Sequence, residues 1–125
     1  QIYMDGGEVF NFTMREVPRR IKNILEYSGT NLESIDYMVF HQANKFMTDF
    51  FSKKLKLPVE KVPYCLDKFG NTSSASIPLT ISSELHSVLK NTNKKIIMSG
   101  FGAGLSWGSA ILNFNNCNVI KVFDI

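Results

Sequence analysis

No run in this 125-residue sequence is apolar for the roughly 20 residues that a bilayer span requires, and no signal-peptide pattern opens it. Cysteine is scarce. Cys65 and Cys117 lie far apart with no CxxC and no Cys/His ligand spacing, so no metal is expected and a reducing cytoplasm fits best. Charge of one sign is barely in excess, at +3 net, and no basic stretch is interleaved with aromatics, which argues against nucleic acid. Internal repeats and low-complexity tracts are absent. What is present is ordinary for a soluble globular protein: 44% hydrophobic and 20% charged residues, with ten Phe that make disorder untenable. The length suits one domain with a core of its own. The chain begins at Gln1 with no initiator Met, which reads as a fragment of something longer.

The periodicities predict alternating helices and strands. Met4-Asp5-Gly6-Gly7 reads as a turn and Glu8–Phe12 as extended. Thr13 and Glu16 have capping-box spacing ahead of a helix carrying Val17, Ile21, Ile24 and Leu25, with Pro18 inside it and Gly29 as its stop. Ile35–Phe40 is a short apolar run without alternation, the mark of a strand buried on both faces. A second helix, Ala43–Leu57, sets Ala43, Phe46, Met47, Phe50 and Phe51 against Lys45, Asp49, Lys53 and Lys56. Val62–Leu66 reads as another strand. A third helix follows Ser74 toward Lys90, with His86 on its exposed side. Lys94–Ser99 and Ser106–Phe114 form two strands around Gly100-Phe101-Gly102-Ala103-Gly104, and an apolar stretch, Val119–Ile125, ends the chain. The expected class is α/β, with helices covering a mixed sheet that ends in an antiparallel hairpin.

Three places can carry chemistry. His41 directly follows a strand, where α/β sheets meet their ligands, and can act as acid, base or hydrogen-bond donor; it can equally cap the next helix. Asn71 stands in a Gly-Asn-Thr-Ser turn, where a plain turn or cap role is open as well. The glycine-rich loop at 100–104 lets backbone approach a ligand, but it joins two strands and does not fit a nucleotide-binding loop.

Read jointly, Met4-Asp5-Gly6…Val9-Phe10, His41-Gln42-Ala43-Asn44, Gly70-Asn71-Thr72-Ser73-Ser74-Ala75-Ser76-Ile77-Pro78 and Gly100-Phe101-Gly102-Ala103-Gly104-Leu105-Ser106-Trp107-Gly108-Ser109-Ala110 resemble the C-terminal half of the 3-oxoacyl-[acyl-carrier-protein] synthase III family, in its order and spacing. The resemblance covers Met4–Phe114, so residues 1–114 are expected to be that C-terminal domain and 115–125 an extension of unknown role.

The resemblance implies one half of a thiolase-like fold from a cytoplasmic, usually homodimeric acyltransferase of fatty-acid biosynthesis. Such enzymes load an acyl group from acyl-CoA onto a Cys and condense it with malonyl-acyl-carrier protein, needing no cofactor. By match, His41 and Asn71 hydrogen-bond the malonyl thioester oxygen, the Ala103 N–H assists the acyl oxyanion, and Phe101 and Asn44 border the substrate. Lys45, Lys53, Lys54, Lys56 and Lys61 offer a basic face to the acidic carrier, although Phe46 stands where relatives often have a basic residue. Neither Cys65 nor Cys117 matches the nucleophile, which lies in the family's other half, so this chain alone is expected to be inactive. Specialised condensing enzymes with the same apparatus, or a non-catalytic carrier-binding module, are the alternatives.

Overall fold

The structure, a computed structural model, describes residues 4–123; the last two residues of the expected apolar stretch 119–125 lie outside it. Helix α1 runs from Gly6 to Ser28 and is therefore longer than its sequence suggests. Asp5 is the N-cap, its Oδ1 accepting the Glu8 N–H at 3.0 Å, so the expected turn and extended segment at 6–12 are helical. Two glycines are tolerated there because the first turn is held by the cap, and Phe12, Val17 and Ile21 bury one continuous face. Thr13 is buried in mid-helix and caps nothing, while Glu16 pairs with Arg15 and Arg19. Pro18 is buried in the helix interior, where it offers the Met14 carbonyl no N–H. Gly29 ends the helix at φ 62°, the left-handed conformation in which glycine has no Cβ to clash.

Strand β1, Tyr37–Phe40, pairs in parallel with β2, Asn93–Gly102, which pairs antiparallel with β3, Ser106–Asn115. The order β1-β2-β3 gives a mixed sheet ending in the expected hairpin. Between β1 and β2 the chain forms α2 (Lys45–Leu55), a short α3 (Leu66–Phe69), α4 (Ser76–Thr80), one π turn (Ile81–Leu85) and α5 (His86–Leu89). No strand forms at 62–66: Cys65 precedes α3, and Pro63 brings no N–H to a ladder. His86, expected at the surface, is half-buried, and its Nδ1 has no hydrogen-bond partner among the described residues.

Helices cover both faces of the sheet, which explains why β1 does not alternate. Met38, Phe40 and Ile97 pack with Val17 and Ile21 of α1 and with Met47, Phe51 and Leu55 of α2. Val39 and Ile96 point the other way, onto Ile81, Leu85 and Leu89. Phe46, assigned by periodicity to the apolar side of α2, is 65% exposed, with its ring centroid 5.9 Å from that of Phe10. After Asn115 the chain carries no regular element among the described residues; Val119 packs on the second cluster, whereas Ile120 and Phe123 are exposed.

Candidate active site

Parallel pairing puts the C-terminal ends of β1 and β2 side by side. His41 leaves β1 there, its N–H donating to the Ser99 carbonyl of β2 at 2.9 Å, and Gly100–Gly102 continue β2 past the same point. The start of α4 comes against this end too: Ser76 Oγ lies 2.6 Å from His41 Nδ1 and accepts the Gln42 N–H at 3.3 Å. A cavity of about 1020 Å³ opens at this junction, and His41, Asn71, Ser76, Phe101, Ala103 and Trp107 are among the residues that line it. Thus His41 and Asn71, distant in sequence, face one cavity together with the glycine-rich turn.

Each side chain is held by its surroundings. His41 is half-buried, and its ring meets Phe101 edge-on with centroids 5.2 Å apart. Burial lowers its pKa below the ordinary 6.5, a backbone hydrogen bond with Ser73 acting the other way, so the imidazole is neutral at pH 7. Gln42 is buried beside it and bridges the Phe40 carbonyl, at 3.0 Å, and the Cys65 N–H, at 3.2 Å. Asn71 accepts the Ser73 N–H through Oδ1 at 2.9 Å. That bond fixes the amide's orientation, because only the oxygen can accept, and it leaves the NH₂ as the donor end. One end of the group thus holds the turn, and the other is available to donate.

Asn44 lies outside the cavity lining. It is the N-cap of α2, with Oδ1 accepting the Met47 N–H at 2.9 Å. Asn44→Ala should cost about 1 kcal/mol in urea unfolding, and Asn44→Asp, which keeps an acceptor, should restore most of it. Lys45 is engaged with Asp49 at 2.8 Å, and its Nζ sits 5.4 Å from the Tyr64 ring centroid. Lys61 donates to the Ile35 carbonyl at 2.6 Å, while Lys53 and Lys54 are exposed in the last turn of α2. Cys65 is buried, its Sγ 3.1 Å from Thr80 Oγ1, and burial pushes its pKa up, the bond to Thr80 acting the other way. It does not reach the cavity and has the character of a core thiol. Thr13, Ser76 and Trp107 also join the lining: Thr13 reads in the sequence as a helix cap, and Ser76 and Trp107 stand within the family-like motifs without a role assigned to them. Among the described residues no group of three or more His, Cys, Asp or Glu is placed to hold a metal ion, and no helix is long and apolar enough to cross a membrane.

A mixed sheet sandwiched by helices, with a neutral imidazole and an oriented carboxamide gathered where two parallel strands end, places the chain in the thiolase-like class of α/β proteins. The family described as 3-oxoacyl-[acyl-carrier-protein (ACP)] synthase III C terminal matches residues 25–114, and the chain belongs to it. It is 43% identical over 114 residues to the beta-ketoacyl-[acyl-carrier-protein] synthase III of Clostridium acetobutylicum, covering 91% of this chain and 35% of that protein. The 3-oxoacyl-(acyl-carrier protein) synthase of Burkholderia xenovorans LB400 superposes with a TM-score of 0.89 at 45% identity, over 95% of this chain and 34% of that one. The synthase III of Thermus thermophilus does so with a TM-score of 0.85 at 36% identity, over 92% and 36%. The chain thus spans about a third of the length of the relatives it matches.

Proposed function

We propose that this chain is the His- and Asn-bearing part of a condensing enzyme that joins a Cys-bound acyl group, taken from acyl-CoA, to malonyl-acyl-carrier protein. The supporting observation is that His41 and Asn71 line the same cavity as Gly100–Ala103 of the glycine-rich loop. In the decarboxylation step the bond between the malonyl carboxylate and its α-carbon breaks. CO₂ leaves, and the electron pair is delocalised onto the thioester oxygen as an enolate. A neutral His41 and the Asn71 NH₂ stabilise that oxygen as hydrogen-bond donors, already oriented before charge develops. Neither removes a proton, because departure of CO₂ generates the carbanion. The enolate carbon then attacks the acyl carbonyl. That attack forms the C–C bond; the resulting oxyanion takes the Ala103 N–H as one donor, and its collapse restores the carbonyl and expels the Cys thiolate. Phe101, against the His41 ring, restricts the space beside the reacting carbons. Asn44 supports the substrate side through the helix it caps with Oδ1, its NH₂ being left over for the pantetheine region.

The nucleophile must come from the portion of the enzyme that this chain does not span. Cys65, buried with its pKa raised by burial, is a poor candidate. The test is CO₂ release from a malonyl thioester. The chain joined to a Cys-bearing N-terminal half should release CO₂ and yield a β-ketoacyl product, whereas the chain alone should form no stable acyl-enzyme with acyl-CoA. Acylation of the isolated chain would overturn this division of labour.

Carrier docking on α2 is the second part of the proposal. Among the described residues Lys53 and Lys54 have no carboxylate partner, and Lys54 lines a groove together with Arg15, Arg19, Lys22 and one acidic residue, Glu26, of α1. An acidic carrier would be steered to such a surface. The double reversal Lys53→Glu/Lys54→Glu should raise the carrier KM about tenfold at low salt, with kcat and the rate on a free malonyl-CoA substrate unchanged. An unaltered KM would remove these lysines from the docking face.

A further inference from the structure

The bond between His41 and Ser76 has a direction that the surrounding hydrogen bonds determine. Ser76 is 1% exposed, so its hydroxyl is almost wholly withdrawn from solvent although the residue borders the cavity. A serine hydroxyl carries one proton and two lone pairs. One lone pair takes the Gln42 N–H, at 3.3 Å. If His41 Nδ1 were protonated, it would occupy the second lone pair, and the hydroxyl proton would then need an acceptor of its own. Among the described residues the Ser76 hydroxyl has none other than His41 Nδ1, 2.6 Å away. The alternative arrangement therefore leaves a buried donor unsatisfied, which typically costs about 1–3 kcal/mol. Ser76 itself is anchored, since its carbonyl accepts from Thr80 Oγ1 at 2.7 Å within the helical segment that packs on the sheet.

We propose that Ser76 is a positioning residue that donates its hydroxyl proton to His41 Nδ1 and locks the imidazole as the Nε2–H tautomer, leaving a donor and no acceptor on the ring's other nitrogen. The inference deepens the proposed function and rests on it for its purpose: a thioester enolate needs a donor, and a ring with free tautomer exchange offers a lone pair for part of the time. It also explains why a serine stands in the middle of Ser74-Ala75-Ser76-Ile77, where side-chain packing alone would be served by alanine.

The test reads the ring nitrogens directly in this chain and requires no turnover. The chain has two histidines, so His86→Gln leaves His41 as the only imidazole. In long-range ¹H–¹⁵N correlation spectra at pH 7.5, His41 should show a protonated Nε2 and an unprotonated Nδ1 without exchange averaging. Ser76→Ala should move both nitrogens toward the averaged shifts of a free imidazole, and Ser76→Thr should restore the locked pattern. A protonated Nδ1 in the parent chain overturns the proposal even if Ser76→Ala does not fold, and so does a Ser76→Ala spectrum identical to the parent's. In the enzyme completed by its Cys-bearing half, Ser76→Ala should lower the kcat of decarboxylation roughly tenfold, with KM unchanged and with Ser76→Thr recovering the rate. A locked tautomer combined with full decarboxylation by His41→Ala would overturn the proposed function alone, since the ring state is observed independently of the chemistry.

Discussion

His41→Ala and Asn71→Ala are each expected to slow decarboxylation of a malonyl thioester by about 10²–10³-fold in the complete enzyme, the usual loss when one preoriented oxyanion donor is removed. The two losses should not multiply in His41→Ala/Asn71→Ala, because both donors serve one oxygen and the second has less to stabilise once the first is gone. Alanine at position 71 also removes the acceptor for the Ser73 N–H, so its effect mixes loss of a turn with loss of a donor. Asn71→Asp separates them. A carboxylate still accepts from the Ser73 N–H and holds the turn, but it replaces the NH₂ with a second oxygen and adds negative charge beside the developing enolate. Its rate should fall at least as far as that of Asn71→Ala while its urea midpoint stays close to wild type. CO₂ release measured with equal amounts of folded protein decides the matter, and full activity in Asn71→Asp would leave Asn71 only its turn.

The parts of the fold legible in the sequence were those set by local pattern. The unbroken apolar run ending at Phe40 marks a strand covered on both faces, and the glycine-rich loop between two apolar runs marks the hairpin. Gly29 and the Lys45–Leu55 helix follow from capping and periodicity. The start of α1 was obscured because Gly6 and Gly7 are poor helix formers, and the Asp5 cap that offsets them is a single short side chain. The absence of a strand at 62–66 reflects local chemistry and tertiary packing: Val62 reaches the core from an irregular segment, and Pro63 beside it brings no N–H to a ladder. The site divides in the same way. His41, Asn71, Phe101 and Ala103 stand in motifs with recognisable spacing, and the fold brings them to one cavity. Ser76 stands in the same motif as Asn71, but its role is not legible there, because its contact with His41 spans 35 positions and exists only once α4 packs against the end of β1. Asn44 lies in the same motif as His41, yet its geometry is that of a helix cap, which motif spacing alone does not distinguish from a substrate contact.

The stability of the site depends on Phe51 more than on any of its polar groups. Phe51 is fully buried where α2 meets the sheet, with ring centroids 5.0 Å from Phe40, 6.0 Å from Phe50 and 5.6 Å from Phe101. Phe101 in turn touches the His41 ring at 5.2 Å, so an aromatic chain runs from the core to the imidazole. Phe51→Ala should cost about 3–5 kcal/mol, since it removes a large apolar side chain and leaves a cavity that a sheet held on both faces cannot collapse to fill. Phe51→Leu, which retains most of the volume but not the edge-on ring contacts, should cost about 1–2 kcal/mol. Chemical unfolding of this chain followed by far-ultraviolet circular dichroism measures both, with the midpoint shifting and the denaturant slope staying constant. A loss below about 1 kcal/mol for Phe51→Ala would mean that this layer is loosely packed. In the folded Phe51→Leu variant the consequence should also appear at the site: Phe101 loses one of its two ring partners, and the His41 ring nitrogens should broaden in the same correlation spectra that report its tautomer. Unchanged His41 signals would show that His41 is held by Ser76 and the Ser99 carbonyl alone, without help from the aromatic layer beneath it.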